Sequence, residues 1–98
     1  MHKMYVLIRD DLSASQKAVQ AGHAVAEFLM RGPRHQWTNG TLIYLRAKNE
    51  NHLKKWAQKL EDQEIGYSLF REIDFGGEIT ALAATTNNHQ IFKSLRLM

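Results

Sequence analysis

Two β-like runs, Tyr67–Ile73 and Ile79–Ala84, are separated by five residues, Asp74-Phe75-Gly76-Gly77-Glu78. A parallel crossover needs roughly a dozen residues or more. The chain must therefore turn back on itself here, and the second run must lie antiparallel to the first. That second run is apolar throughout apart from Thr80, which suits a central position in a sheet.

The chain ahead of this reversal alternates strand and helix. Met4–Arg9 is a compact apolar run of β-formers ended by Asp10-Asp11. Ser13-Ala14-Ser15-Gln16 has the form of a capping box and predicts a helix from about Ala14 to Met30. At about 100° per residue, Ala18, Ala21, Gly22, Val25, Phe28 and Leu29 gather as its apolar face, with Gln16, Gln20, His23 and Glu27 as an opposite polar stripe. Gly32-Pro33 stops it. Thr41–Ala47 reads as a second strand. Asn49 or Asn51 caps a second helix running to about Glu64, with Leu53, Trp56, Ala57 and Leu60 on one face. Gly66 fits the position past its end where positive φ is common, and Thr85–Asn88 caps a last short helix through Leu95. The order β-α-β-α-β-β-α, with right-handed crossovers, predicts an α/β fold. The expected architecture is a three-layer α/β/α sandwich whose four-stranded mixed sheet has its last strand antiparallel. The 98 residues make one domain, 1–98.

Composition narrows the chemistry. There is no cysteine, which removes disulfides, thiolate metal sites and cysteine nucleophiles. The five histidines lack ligand spacing, so no metal is expected, and no serine lies in a G-x-S-x-G context. Asp74-Phe75-Gly76 spells a kinase tripeptide by chance, in a chain far too short for a kinase. Met4–Ile8 is too short for a signal peptide, and no stretch approaches a bilayer span, so a cytoplasmic location and no membrane partner are expected. The net charge is +3, and residues 1–46 hold the surplus, six Lys/Arg against three Asp/Glu. Its densest cluster is Arg31, Arg34 and His35, a field that favours a polyanion such as RNA.

Ligands of open α/β sheets sit beyond the carboxyl ends of the parallel strands. That rule gathers Asp10, Asp11, Gln16, Lys17, Gln20, Asp74 and Thr80 at one rim, with His23 one turn deeper. Such a group suits ester hydrolysis. Asp74 serves as a general base on water. Gln20, Thr80 and the amides of Gly76-Gly77 donate to an oxyanion, and Lys17 stabilises negative charge. Plainer readings stand beside these. Asp74 and the glycines also suit a turn, Gln20 a solvated helix position, and His23 a packed or solvated histidine.

Several segments together resemble the type II peptidyl-tRNA hydrolase family. Y-V-L-I-R-D-D-L is similar to its opening strand and R-x-D-L ending. K-A-V-Q-A-G-H-A is similar to its A-A-Q-x-x-H-A helix. Trp37 with T-L-I-Y-L-R-A, then E-I-G-Y-S-L-F-R-E-I-D, I-T-A-L-A-A and F-K-S-L-R-L, follow in the family's order across nearly the whole chain. The resemblance implies cofactor-free, metal-free hydrolysis of the ester joining a peptide to the tRNA 3′ end, on an α/β/α sandwich with one antiparallel strand. Gln20, Asp74 and Thr80 match its catalytic pattern and His23 its histidine. Gln16 occupies the register of the family lysine. Lys17 comes one place later, rotated about 100° around the helix. The loop after Asp74 is shortened, and Glu78 stands where the family has a threonine. The implied partner is peptidyl-tRNA or tRNA, with Arg31 and Arg34 facing its backbone and a homodimer allowed. The alternatives are a tRNA- or ligand-binding protein on the same scaffold without catalysis, and a hydrolase for another ester or amide.

Overall fold

The computed structural model describes residues 1–98. The chain forms β1 (Lys3–Arg9), α1 (Ala14–Arg31), β2 (Leu42–Ala47), α2 (Glu50–Asp62), β3 (Tyr67–Glu72) and β4 (Glu78–Thr86), with 3-10 turns at Ile73–Phe75 and His89–Phe92. The strand order is β2-β1-β4-β3. β1 and β2 are parallel, and β4 is antiparallel to both β1 and β3. The five-residue link thus reverses the chain as expected and places the apolar β4 in the interior of the sheet.

Strand pleating sorts the apolar residues onto two faces. Tyr5, Leu7, Leu45, Ala47, Leu82 and Ala84 pack with Leu53, Trp56, Ala57 and Leu60 of α2. Met4, Val6, Ile8, Ala81 and Ala83 pack with Ala21, Ala24 and Phe28 of α1. The two helices therefore cover opposite faces, completing the sandwich. No helix is long and apolar enough to cross a membrane.

Local chemistry sets the boundaries. Ser13 Oγ accepts from the Gln16 amide at 3.2 Å while Gln16 Oε1 accepts from the Ser13 amide at 2.9 Å, so the capping box is formed in both directions. Asn49 Oδ1 caps α2 by accepting from the His52 amide at 3.0 Å. The positive φ after α2 falls on Glu64 rather than Gly66. Gly66 answers a different need, because a Cβ there would lie 2.9 Å from Pro33 Cγ. The predicted last helix is only the 3-10 turn His89–Phe92. The chain instead straightens so that Leu97 pairs antiparallel with Leu45 and lines the edge of β2.

The inner face of α1 is rotated relative to the expected one. Ala18, Gly22 and Leu29 are exposed, whereas Gln20, Ala21, Ala24 and Phe28 are buried. Hydrophobic periodicity put Gln20 outside because it counts an amide as solvent-facing. The amide goes inside because hydrogen-bonding partners wait for it there.

Candidate active site

The buried amide begins with an irregularity in β4. Phe70 pairs with Ala81 and Arg71 with Ile79, so Thr80 is an extra residue on the β4 side of the ladder. Ile79 packs in the α2-side core and Ala81 in the α1-side core. The bulge turns the Thr80 side chain toward α1 together with Ala81, and re-aiming a side chain is a recurrent use of such bulges.

There Thr80 Oγ1 donates to Gln20 Oε1 at 2.6 Å, and Gln20 Nε2 donates to Glu72 Oε1 at 2.8 Å. An ionised carboxylate only accepts, so the Gln20 NH2 group must face Glu72 and its carbonyl oxygen must face the Thr80 hydroxyl. Thr80 is 0% exposed and Gln20 3%. One Nε2 hydrogen of Gln20 has no protein acceptor. The Glu72 carboxyl is held below its ordinary range, first by the Gln20 hydrogen bond, against desolvation, and further by the Asp74 amide and the charge of His23. Sequence reasoning passed over Glu72. The available signal was its place two residues after Phe70 on β3, on the side that faces α1.

A groove of about 290 Å³ opens over this network, lined by Ser15, Gln16, Val19, Gln20, Glu72, Asp74 and Phe75. Gln20 and Asp74, far apart in sequence, thus share one groove. Asp74 is exposed, and its amide donates to Glu72 Oε2 at 3.4 Å. Its carboxylate takes no hydrogen bond from the protein. Gln16 lines the same groove while its side chain closes the capping box.

Other rim residues stand differently from expectation. The amides of Gly76 and Gly77 are consumed within the turn, donating to the carbonyls of Ile73 at 3.2 Å and Glu72 at 2.9 Å. They are therefore not the oxyanion donors the sequence suggested. The left-handed φ values of 66° and 81° curl the loop back to make those bonds, and glycine adopts them without steric cost. Lys17 Nζ lies 2.7 Å from Asp10 Oδ1 and does not line the groove. This pairing holds the Asp10 carboxyl below its usual range, against desolvation. Glu78 is 2.7 Å from Arg9 Nη1, and Arg9 also pairs with Asp11 at 3.0 Å. The carboxylate in the threonine register is thereby paired, but it shares its one cation with Asp11. His23 is exposed and stacks on Phe70, with ring centroids 4.7 Å apart and planes 11° apart. Arg31 lies at the far end of α1, paired with Glu27 at 2.8 Å, and Arg34 lines a cavity at the opposite end of the sheet with His2, Thr85 and Thr86. At about 1.5 Å per residue, Arg31 is about 16 Å along the helix from Gln20. No three histidine or carboxylate side chains converge as metal ligands.

Direct comparison with curated proteins finds no match. Among solved structures, a protein of unknown function from Agrobacterium tumefaciens strain C58 is similar at 15% identity and TM-score 0.73, over 99% of this chain and 97% of that one. At that identity the likeness concerns the fold alone. A family model described as peptidyl-tRNA hydrolase PTH2 matches residues 2–98. The match spans the groove and every element that builds it, and the chain belongs to the PTH2 peptidyl-tRNA hydrolase family.

Proposed function

We propose that the protein hydrolyses the ester between a peptide and the 3′ end of tRNA, with water as the nucleophile. The supporting observation is the shared groove, whose lining includes both the exposed, unengaged Asp74 carboxylate and the Gln20 amide held by Thr80 and Glu72. Asp74 accepts a proton as a water oxygen bonds to the ester carbonyl carbon. The carbonyl oxygen gains charge and accepts the remaining Nε2 hydrogen of Gln20. Collapse breaks the bond to the ribose oxygen, which takes the proton back from Asp74. Thr80 is a positioning residue in this scheme, since its buried hydroxyl reaches Gln20 rather than the groove. Glu72 fixes the other end of the amide. Catalytic amides work by being preorganised, and two fixed partners supply that. Lys17, paired with Asp10 and absent from the groove lining, takes no step in this scheme.

The test is release of peptide from purified peptidyl-tRNA. Wild-type protein turns over, and Asp74→Ala loses about 10²–10⁴ in kcat, the range for a general base. Its melting curve stays unchanged, because the Asp74 side chain is exposed and makes no hydrogen bond or ion pair. A wild-type protein without turnover points to the second reading, a tRNA-binding member without hydrolysis. That reading draws on the spent amides of Gly76 and Gly77, which leave Gln20 as the one neutral donor of the original set within the groove.

A further inference from the structure

A second cavity, of about 440 Å³, opens beyond the carboxyl ends of β1 and β2. β1 leads into α1 on one face of the sheet and β2 into α2 on the other, so two adjacent parallel strands diverge here. Crevices of this kind are where open α/β sheets take ligands. Its lining includes Asp10, Arg46, Lys48, His52 and Arg96. The chain's C-terminal residues bring Arg96 into place. Leu97 pairs with Leu45, and the Arg46 amide donates to the Arg96 carbonyl at 2.9 Å. Arg46 and Arg96 therefore face each other across an antiparallel pairing, where like charges are unfavourable.

Inside the protein only Asp10, which lines the same cavity and attracts Arg46, offsets that repulsion. Arg46, Lys48 and Arg96 have no carboxylate within ion-pair distance. The one carboxylate in the lining, Asp10, is engaged by Lys17. His52 Nδ1 accepts from the Lys48 amide at 2.9 Å, which leaves the proton of the neutral ring on Nε2 as a further donor. Three cations without an ion-pair partner, set against one carboxylate already bonded to Lys17, leave the cavity net positive and suit a multiply charged anion, and guanidinium forks match phosphate oxygens. The position selects among phosphates. Asp10 lines this cavity, and its partner Lys17 lies one helical turn before Gln20. Gln16, the neighbour of Lys17 in the chain, lines the ester groove, so cavity and groove open on the same end of the sheet.

We propose that the Arg46–Lys48–Arg96 cavity binds backbone phosphates of the RNA strand whose 3′-terminal ester lies in the Gln20–Asp74 groove. The inference rests on the hydrolase reading for its ligand, and on the cavity itself for its chemistry. All three cations are exposed, so their removal leaves the core intact.

The test measures tRNA binding against salt concentration for wild type, Arg46→Ala/Arg96→Ala and, as a control distant from the cavity, Lys59→Ala. The double variant is expected to bind at least tenfold more weakly, with a log Kd against log salt slope shallower by about 1–2, near one unit per lost phosphate contact. Lys59→Ala matches wild type. With peptidyl-tRNA the loss falls on KM rather than kcat, and it shrinks on a peptidyl-adenosine ester, which carries no phosphate. A wild type that binds tRNA through these arginines yet hydrolyses nothing supports the phosphate site and removes the proposed hydrolysis. Unchanged affinity and salt slope in the double variant overturn the inference even if hydrolysis is intact. So does arginine-dependent binding of AMP or inorganic phosphate that leaves tRNA binding untouched, since the cavity then serves a free phosphate ligand.

Discussion

On the α2 side of the sheet the core is built from large rings. Trp56 and Phe92 stack with centroids 5.3 Å apart, and Phe92 meets Tyr5 at 4.4 Å. On the α1 side the core is smaller and rich in alanine, and toward the rim a buried amide and hydroxyl, Gln20 and Thr80, replace apolar packing. Both helices are amphipathic and both faces are closed, yet one face contributes mainly area and the other gives up area to fix a polar group. The lesson is that the larger share of the apolar core and the candidate groove are drawn from opposite sides of one sheet, so they respond to different substitutions.

The largest expected effect is on the α2 face. Trp56→Ala should cost about 3–5 kcal/mol, the usual loss for a buried ring, read as a lower urea midpoint. Activity per folded molecule should hold, because Trp56 touches no groove residue. Thr80→Val tests the other face. It keeps the shape and leaves the Gln20 carbonyl buried without a donor, costing about 1–3 kcal/mol. Here kcat should fall along with stability, a joint loss that Trp56→Ala does not show.

The smallest effect concerns pH. Glu72 titrates below the ordinary 4.5 of a glutamate in the folded protein, chiefly because Gln20 donates to it. A depressed folded pKa means its contribution is complete above 4.5 and is lost as pH falls through the lower folded value. Asp10 and Asp11, held down by Lys17 and Arg9, add to the same acid window. Glu72→Gln should therefore lose less stability than wild type between neutral pH and pH below 4.5. Equal losses in the two proteins would detach Glu72 from the network.

What the sequence made legible follows the same division. Local rules sufficed for the Ser13–Gln16 box, the existence of the four strands and the reversal at Asp74, since each depends on neighbours in the chain; they left the α2 cap open between Asn49 and Asn51 and stopped β4 two residues short, at Ala84 instead of Thr86. The family resemblance and the rim rule brought Gln20, Asp74 and Thr80 to one place before any coordinates. Three features escaped because they are set by partners distant in sequence. Gln20 turns inward only because Thr80 and Glu72 meet it. Thr80 faces α1 only because β3 and β4 pair with a bulge at that point. The C-terminal residues extend along β2 because that edge offers hydrogen bonds a short helix would forgo. The glycine amides misled for a related reason, as a tight turn can satisfy its own donors.

The most direct measurement is a double-mutant cycle on kcat for peptidyl-tRNA hydrolysis with Gln20→Leu and Asp74→Asn. If amide and carboxylate act on one reacting ester, each single change should remove most of the rate, and the double variant should be little worse than the weaker single one. Losses that simply multiply would mean the two residues act independently, contrary to a shared reaction centre.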